Sequence, residues 1–388
     1  MIVRGHSLTR RIRIEHAALV VTALVAAACG SRTELLVPEE NDAGPPDVQD
    51  ELARDVAIEP DAAEEDAQPK DAVPDAPVTL NGAVRITAGS ASSCAINAAG
   101  GVECWGEDFY GELGNGAMGM FNTPQQVVGL SSGVLAISAD VFGVCAVTTM
   151  GTASCWGSNM YGQLGNGTFT TTGNAAAVTN VSTAVGVAGG GIYASCILLG
   201  TGTVECMGGD YDGNLALGSI TSMTYDTPQT SKVTGAIALG GSGVGSSAPN
   251  CAILAGGSVQ CWGFMQNSLG DGTTIASGAP FAVPGITNAV QVATSGANIC
   301  IVLAGGALSC WGENLWGEVG DGTTTTRKTP VATTLTNVAS VSIGNFHTCV
   351  VTGGSVTGSP RSSRRRRGKS RSAPVRSASH VATPTRAR

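Results

Sequence analysis

The chain has 388 residues, enough for two ordinary domains or one long repeat array, and its 55 glycines with only 13% charged residues suggest many tight turns joining short, uncharged strands. The net charge of −8 hides three unlike segments: residues 31–80 carry 15 acidic and 3 basic side chains, residues 81–357 carry 13 and 4, and the end from Gly358 carries 10 basic and no acidic ones. An acidic central region argues against a nucleic-acid-binding surface.

At the N-terminus, Arg4, Arg10, Arg11 and Arg13 precede a 12-residue run from Ala17 to Ala28. Such a run is too short to span a bilayer and reads as a secretory signal. Ala26-Ala27-Ala28-Cys29-Gly30 resembles the lipobox of bacterial lipoproteins, with Ala26 where Leu is usual. The resemblance implies cleavage before Cys29, acylation of that residue and, because Gly30 is not Asp, an outer-membrane or cell-surface location in the envelope. The alternative is a plain cleaved signal. Residues 30–80, rich in Asp, Glu, Pro and Ala, bury too little apolar surface to offset chain entropy and read as an extended acidic linker.

Beyond the linker, cysteines fall at 94/104, 145/155, 196/206, 251/261 and 300/310, always ten residues apart, with Cys349 following. Pair-to-pair spacings of 51, 51, 55, 49 and 49 residues mark an internal repeat. The first unit predicts strands at Val84–Ala88, Ser93–Ile96 and Val102–Trp105, with a fourth after Pro124 near Gln125–Val128. The five residues Asn97–Gly101 form a loop of hairpin length. Alternation puts Cys94 and Cys104 nearly opposite each other across that hairpin.

After the second cysteine comes Trp105-Gly106-Glu107-Asp108-Phe109-Tyr110-Gly111-Glu112-Leu113-Gly114-Asn115-Gly116. It returns from Trp156 to Gly167 and from Trp311 to Gly322, one residue shorter from Trp262 to Gly272, and worn in the third unit, where Met207 replaces the Trp. This pattern resembles the regulator-of-chromosome-condensation repeat, W-G-x-N-x-x-G-Q-L-G-x-G, over residues 81–357. The resemblance implies an all-β fold, a β-propeller of four-stranded blades around a central channel. A Cys-paired variant would add a staple inside each blade.

Ten-residue steps do not match zinc knuckles, His347 is the only histidine in the repeats, and there is no C-x-x-C motif. With an export signal, disulfides Cys94–Cys104, Cys145–Cys155, Cys196–Cys206, Cys251–Cys261 and Cys300–Cys310 are expected. The recurring Trp105, Trp156, Trp262 and Trp311 read as packing residues of each blade. Tyr110, Tyr161 and Trp316 lie in the long loop that follows and are the candidate binding residues, since loop aromatics favour recognition.

The sixth unit opens on template, from Val338 to Thr357, then breaks: the second cysteine position is Ser359, and an Arg-rich tail follows to Arg388. Residues 358–388 read either as a basic arm or, better, as the product of a frameshift in a GC-rich gene. Five full units and a truncated sixth fall short of the seven blades usual in that family, so the ring is expected to be incomplete or to close with fewer blades.

No nucleophile elbow, HExxH, phosphate loop or acid/His cluster is present, and Asp271-Gly272 and Asp321-Gly322 read as turns. The expectation is therefore a binding protein with no catalytic residues, metal or cofactor. Its partner would be a protein or surface ligand, and its membrane contact would run through a lipid anchor. By resemblance alone, a guanine-nucleotide exchange regulator or a secreted enzyme inhibitor are the alternatives.

Overall fold

The Gly-punctuated repeats fold as antiparallel meanders, each strand hydrogen-bonded to the next in sequence. A computed structural model describes residues 82–241, 249–264, 269–344, 347–353 and 355–358. The signal, Cys29, the linker and the basic tail beyond Gly358 lie outside the described residues.

Blade 1 consists of β1 (Arg85–Ala88), β2 (Ser92–Ile96), β3 (Val102–Asp108) and β4 (Gly119–Gln126). Blade 2 follows as β5 (Val134–Ala139), β6 (Gly143–Thr148), β7 (Ala153–Gly157) and β8 (Thr172–Ala177). Blade 3 is β9 (Ala184–Gly190), β10 (Ala194–Leu199), β11 (Val204–Gly209) and β12 (Thr224–Thr230). Blade 4 is β13 (Ala236–Gly240), β14 (Asn250–Leu254), β15 (Val259–Gly263) and β16 (Ser277–Ala282). Blade 5 is β17 (Ala289–Thr294), β18 (Asn298–Leu303), β19 (Leu308–Gly312) and β20 (Arg327–Ala332). Blade 6 has three strands among the described residues, β21 (Val338–Ile343), β22 (Thr348–Thr352) and β23 (Ser355–Gly358).

The result is an all-β propeller of five full blades and a truncated sixth. Its innermost strands surround a central cavity of about 230 Å³, lined from all six blades by residues such as Thr87, Ser138, Val187, Leu239, Gln291 and Ser342. Neighbouring inner strands are tied by side chains: Ala139 N donates to Thr87 Oγ1 at 3.0 Å, and Gly189 N to Ser138 Oγ at 3.0 Å. Between blades 5 and 6, Val341 N donates to Gln291 Oε1 at 3.1 Å. Consecutive inner strands pack in the order β1, β5, β9, β13, β17, β21, whereas β21 and β1 do not pack on each other in the same way.

Each full blade carries its disulfide across the central hairpin. Cys94 and Cys104 are register partners with Cα atoms 4.1 Å apart, and the same holds for the pairs 145/155, 196/206, 251/261 and 300/310. In blade 6, Gly358 stands opposite Cys349.

Two sequence expectations change. The fourth strand of blade 1 begins earlier, at Gly119, and contains Pro124 rather than following it. Pro228, Pro280 and Pro330 likewise lie inside β12, β16 and β20. These are the outermost strands, where a missing N–H faces away from the ladder. The recurring tryptophans also do not pack within their own blades. Trp156 of β7 is fully buried in a cluster with Cys94, Cys104, Leu113, Val127 and Leu130 of blade 1. Met207, Trp262 and Trp311 enter the cores of blades 2, 3 and 4 in the same way. Trp105, in the first described blade, is only half-buried.

Candidate functional site

In an antiparallel meander the first-to-second and third-to-fourth connections of a blade emerge on one face. The Trp-Gly motif therefore displays its long loop beside the short turns that precede β2, β6 and β10. One buried polar side chain anchors the long loop in blades 1, 2, 3 and 5. Asn159 Oδ1 accepts from Leu164 N at 3.0 Å, while its Nδ2 donates to the carbonyls of Thr168 and Thr170 at 2.8 and 3.2 Å. Asn314 repeats this with Val319 N at 3.0 Å and the carbonyls of Thr323 and Thr325 at 3.1 Å each. Asp108 and Asp210 accept from Leu113 N and Leu215 N at 2.9 and 3.1 Å.

A second anchor holds the candidate aromatics themselves. Tyr110 N donates to Glu112 Oε2 at 2.8 Å, Tyr161 N to Gln163 Oε1 at 3.0 Å, and Trp316 N to Glu318 Oε2 at 2.8 Å. The structure distributes these three residues over the face rather than gathering them. Tyr110 tilts against Phe142 of blade 2, with ring centroids 5.1 Å apart. Tyr161 joins Tyr193 and Tyr211 of blade 3 in an edge-to-face trio, its centroid distances being 4.9 and 5.8 Å, with 5.5 Å between the other two. Trp316 stands apart on blade 5, 37% exposed.

Phe142, Tyr193 and Tyr211 were not singled out from the sequence. Phe142 and Tyr193 share one repeat position, three residues before the first cysteine, so aligning the units on the cysteines would have paired them. Phe109, Met160 and Leu315, each just before a candidate aromatic, are exposed as well. The face thus carries an interrupted apolar belt.

Between blades 1 and 2 lies a cleft of about 220 Å³ lined by Glu107, Phe109, Tyr110, Glu112, Val141 and Phe142. Near it are buried carboxyl groups. Burial raises Asp140 to about 7 against the opposing pull of the Phe142 and Gly143 amides. Burial also raises Glu112 to about 7, and the charges of Asp108 and Asp140 add to it. Burial pushes Asp108 up too. Oxygens of these groups are engaged with loop amides: Phe142 N donates to Asp140 Oδ1 at 3.0 Å. Their geometry shapes loops.

Among the described residues no three His, Cys, Asp or Glu side chains group as metal ligands. Asp271 and Asp321 close turns: Thr273 N and Thr323 N donate to them at 2.8 and 2.9 Å. Asp321 also faces Arg327 Nε at 2.6 Å. Burial would raise Asp321, yet hydrogen bonds from Thr323, Arg327 and Asn314 outweigh it and hold the group at about 2.

No protein-family model matches the chain. In the human and mouse E3 ubiquitin-protein ligase HERC2, 88 residues are 38% identical to this chain, a stretch covering 22% of the chain and 2% of the ligase. Among solved structures, human WBSCR16 superposes with a TM-score of 0.62 at 18% identity, over 70% of this chain and 72% of that one. Prp20p of Saccharomyces cerevisiae, described with its binding properties to Gsp1p and histones, gives 0.59 at 16% identity, over 73% and 69%. Yeast RCC1 (Prp20) bound by Kap60 gives 0.59 at 18% identity, over 70% and 68%. The chain therefore has a β-propeller fold of the kind seen in the RCC1-type structures.

Proposed function

We propose that this chain is a non-enzymatic, envelope-anchored propeller that binds a protein or surface ligand through the aromatic loops of one face. The observation that carries the reading is the Tyr161–Tyr193–Tyr211 trio, three loop tyrosines from two blades in mutual edge contact, Tyr211 exposed and the other two half-buried. Rigid aromatics with little side-chain entropy to lose are the usual anchors of recognition surfaces. The scaffold beneath is stapled and its loops are pinned, so the face is organised before any partner arrives. The acidic excess of residues 81–357 favours a partner with a basic or neutral contact surface.

Anchoring rests on the lipobox-like Ala26-Ala27-Ala28-Cys29 and the acidic linker after it. A lipid on Cys29 would tether the propeller to the outer membrane, with the linker as spacer. Labelling with a radioactive fatty acid tests this: label incorporated by the wild type and lost in Cys29→Ala supports the anchor. Binding is tested by capture from envelope extracts with wild-type protein and with Tyr161→Ala/Tyr211→Ala. A specific partner lost in the variant supports the reading, and equal capture overturns it.

A second reading, an exchange-factor-like regulator, draws support from the fold shared with Prp20p and that protein's binding to Gsp1p. An exported protein would not meet cytosolic GTPases. Recovery of the native protein from cytosol would favour this second reading.

A further inference from the structure

Blades 1 to 4 each offer a slot that the next blade fills with one side chain: Trp156, Met207, Trp262 and Trp311, all fully buried. Two of the indoles are fixed by the same bond, Trp156 Nε1 to the Glu112 carbonyl at 2.8 Å and Trp262 Nε1 to the Asn214 carbonyl at 3.0 Å. A glycine forms the slot wall: a Cβ on Gly114 would lie 2.8 Å from Trp156 Nε1, and one on Gly270 3.2 Å from the Trp311 ring.

Blade 5 has the same wall with no side chain of the described residues in it. Leu308, Glu318, Val319 and Gly320, facing Thr348 and Val350 of β22, line an open cavity of about 150 Å³. A Cβ on Gly320 would meet nothing nearer than Thr333 Cγ2, at 4.0 Å. The core cluster of this blade accordingly contains no tryptophan. In blade 2, Cys155 stands opposite Cys145 and Trp156 follows it. In blade 6, Gly358 stands opposite Cys349 and the next residue is Ser359. Residues 359–388 contain no Trp, Tyr, Phe, Met, Leu or Ile.

A second observation points to a polar ligand group. Glu318 is 1% exposed and lines the cavity, and its Oε1 has no hydrogen-bond partner among the described residues. The Glu318 carbonyl, counterpart of the Glu112 carbonyl, accepts from Thr348 Oγ1 at 2.7 Å and keeps a second lone pair. The site is roomy, largely aliphatic and short of one donor.

We propose that the fifth-blade cavity is a binding site for a small planar aromatic molecule carrying one N–H donor, of the indole class. A cavity of roughly this size, lined by aliphatic side chains, takes up a benzene-sized ring. The N–H meets the Glu318 carbonyl, as the tryptophan N–H meets the equivalent carbonyl in blades 1 and 3. β23, all of whose residues are exposed, forms the outer lip through which the ring enters. The site is separate from the tyrosine trio, which lies on loops of blades 2 and 3, while Glu318 also pins Trp316 of its own loop.

Free indole titrated into the full-length protein and followed by saturation-transfer NMR and calorimetry is the test. Saturable binding with Kd of roughly 0.1–1 mM is expected, with indene, which lacks the N–H, at least about fivefold weaker. Ser359→Trp, which offers a ring from the chain itself, and Val319→Phe, which fills the cavity from its wall, should each abolish binding. No saturable indole binding, or unchanged binding in Val319→Phe, overturns the proposal. So does binding of N-acetyltryptophanamide in place of free indole, which would mark the slot as a receiver of protein side chains.

Discussion

Trp156 donates its indole N–H to the backbone carbonyl of Glu112, 44 residues earlier, at 2.8 Å. The bond joins the third strand of one blade to the long loop of the blade before it, and the ring fills that blade's core. Trp156→Phe should therefore lose about 2 kcal/mol in denaturant unfolding, from a buried carbonyl left unpaired and a partly empty slot. Trp105→Phe, at the same repeat position but only half-buried, should cost less than about 1 kcal/mol. Equal losses would mean that burial between blades is not what the tryptophan provides.

The staples should each be worth about 2–3 kcal/mol by constraining the unfolded chain. Replacing Cys196 and Cys206 together by alanine should lower the thermal midpoint, and dithiothreitol should lower that of the wild type further. A midpoint indifferent to reductant would show that the bridges do not form or do not matter.

Asn159 satisfies one loop amide and two loop carbonyls from a fully buried position. Asn159→Ala leaves these groups without partners and should cost about 2–3 kcal/mol. Limited proteolysis should then cut between 160 and 171 before any other described segment. An unchanged cleavage pattern would assign the rigidity of the loop to its glycines instead.

Stability should fall as pH rises from about 4 to about 7 and level off above. Asp140 and Glu112 titrate near 7 in the fold, against about 4 in an unfolded chain. Below both values the folded and unfolded states hold the same protons. Between them the folded state holds more, so raising pH removes its advantage. Asp321, held at about 2, contributes only a loss below about pH 4 and leaves this window untouched. Asp140→Asn should flatten the fall and raise stability at pH 8 by about 1–3 kcal/mol. Thermal midpoints at pH 5 and pH 8 decide it, and a higher midpoint at pH 8 in the wild type would contradict the assignment.

If the break after Thr357 is a frameshift, the other reading frames near that codon contain a Trp-Gly-x-Asn motif, and the open fifth-blade slot belongs to the shifted product alone. Resequencing the gene and translating all three frames checks this directly. If neither alternative frame contains the motif, the basic tail is genuine.

The repeat unit and its staple register were legible in the cysteine ruler, because a ten-residue step across a five-residue loop admits little else, whereas the propeller came from the resemblance of the Trp-Gly motif and the number of blades was left open. The fourth strand was misplaced because Pro124 reads locally as a start signal, whereas at a sheet edge it is tolerated inside the strand. The destination of each tryptophan was not legible, since the slot receiving Trp156 is built from residues about forty positions away. The same holds for the aromatic clusters. Tyr161 was visible as a loop residue, but its neighbours Tyr193 and Tyr211 come from the next blade, and only the ring geometry brings them together.

Because every staple closes a loop of ten residues within one hairpin, no bridge of these five ties one blade to another. During oxidation each thiol meets its own partner far sooner than one a full repeat away. The difference in closure entropy between loops of ten and about fifty residues is roughly 1.4 kcal/mol, about a tenfold bias toward the correct partner at each site. A chain exported unfolded could thus oxidise blade by blade as it emerges, with little scrambling to be corrected by an isomerase.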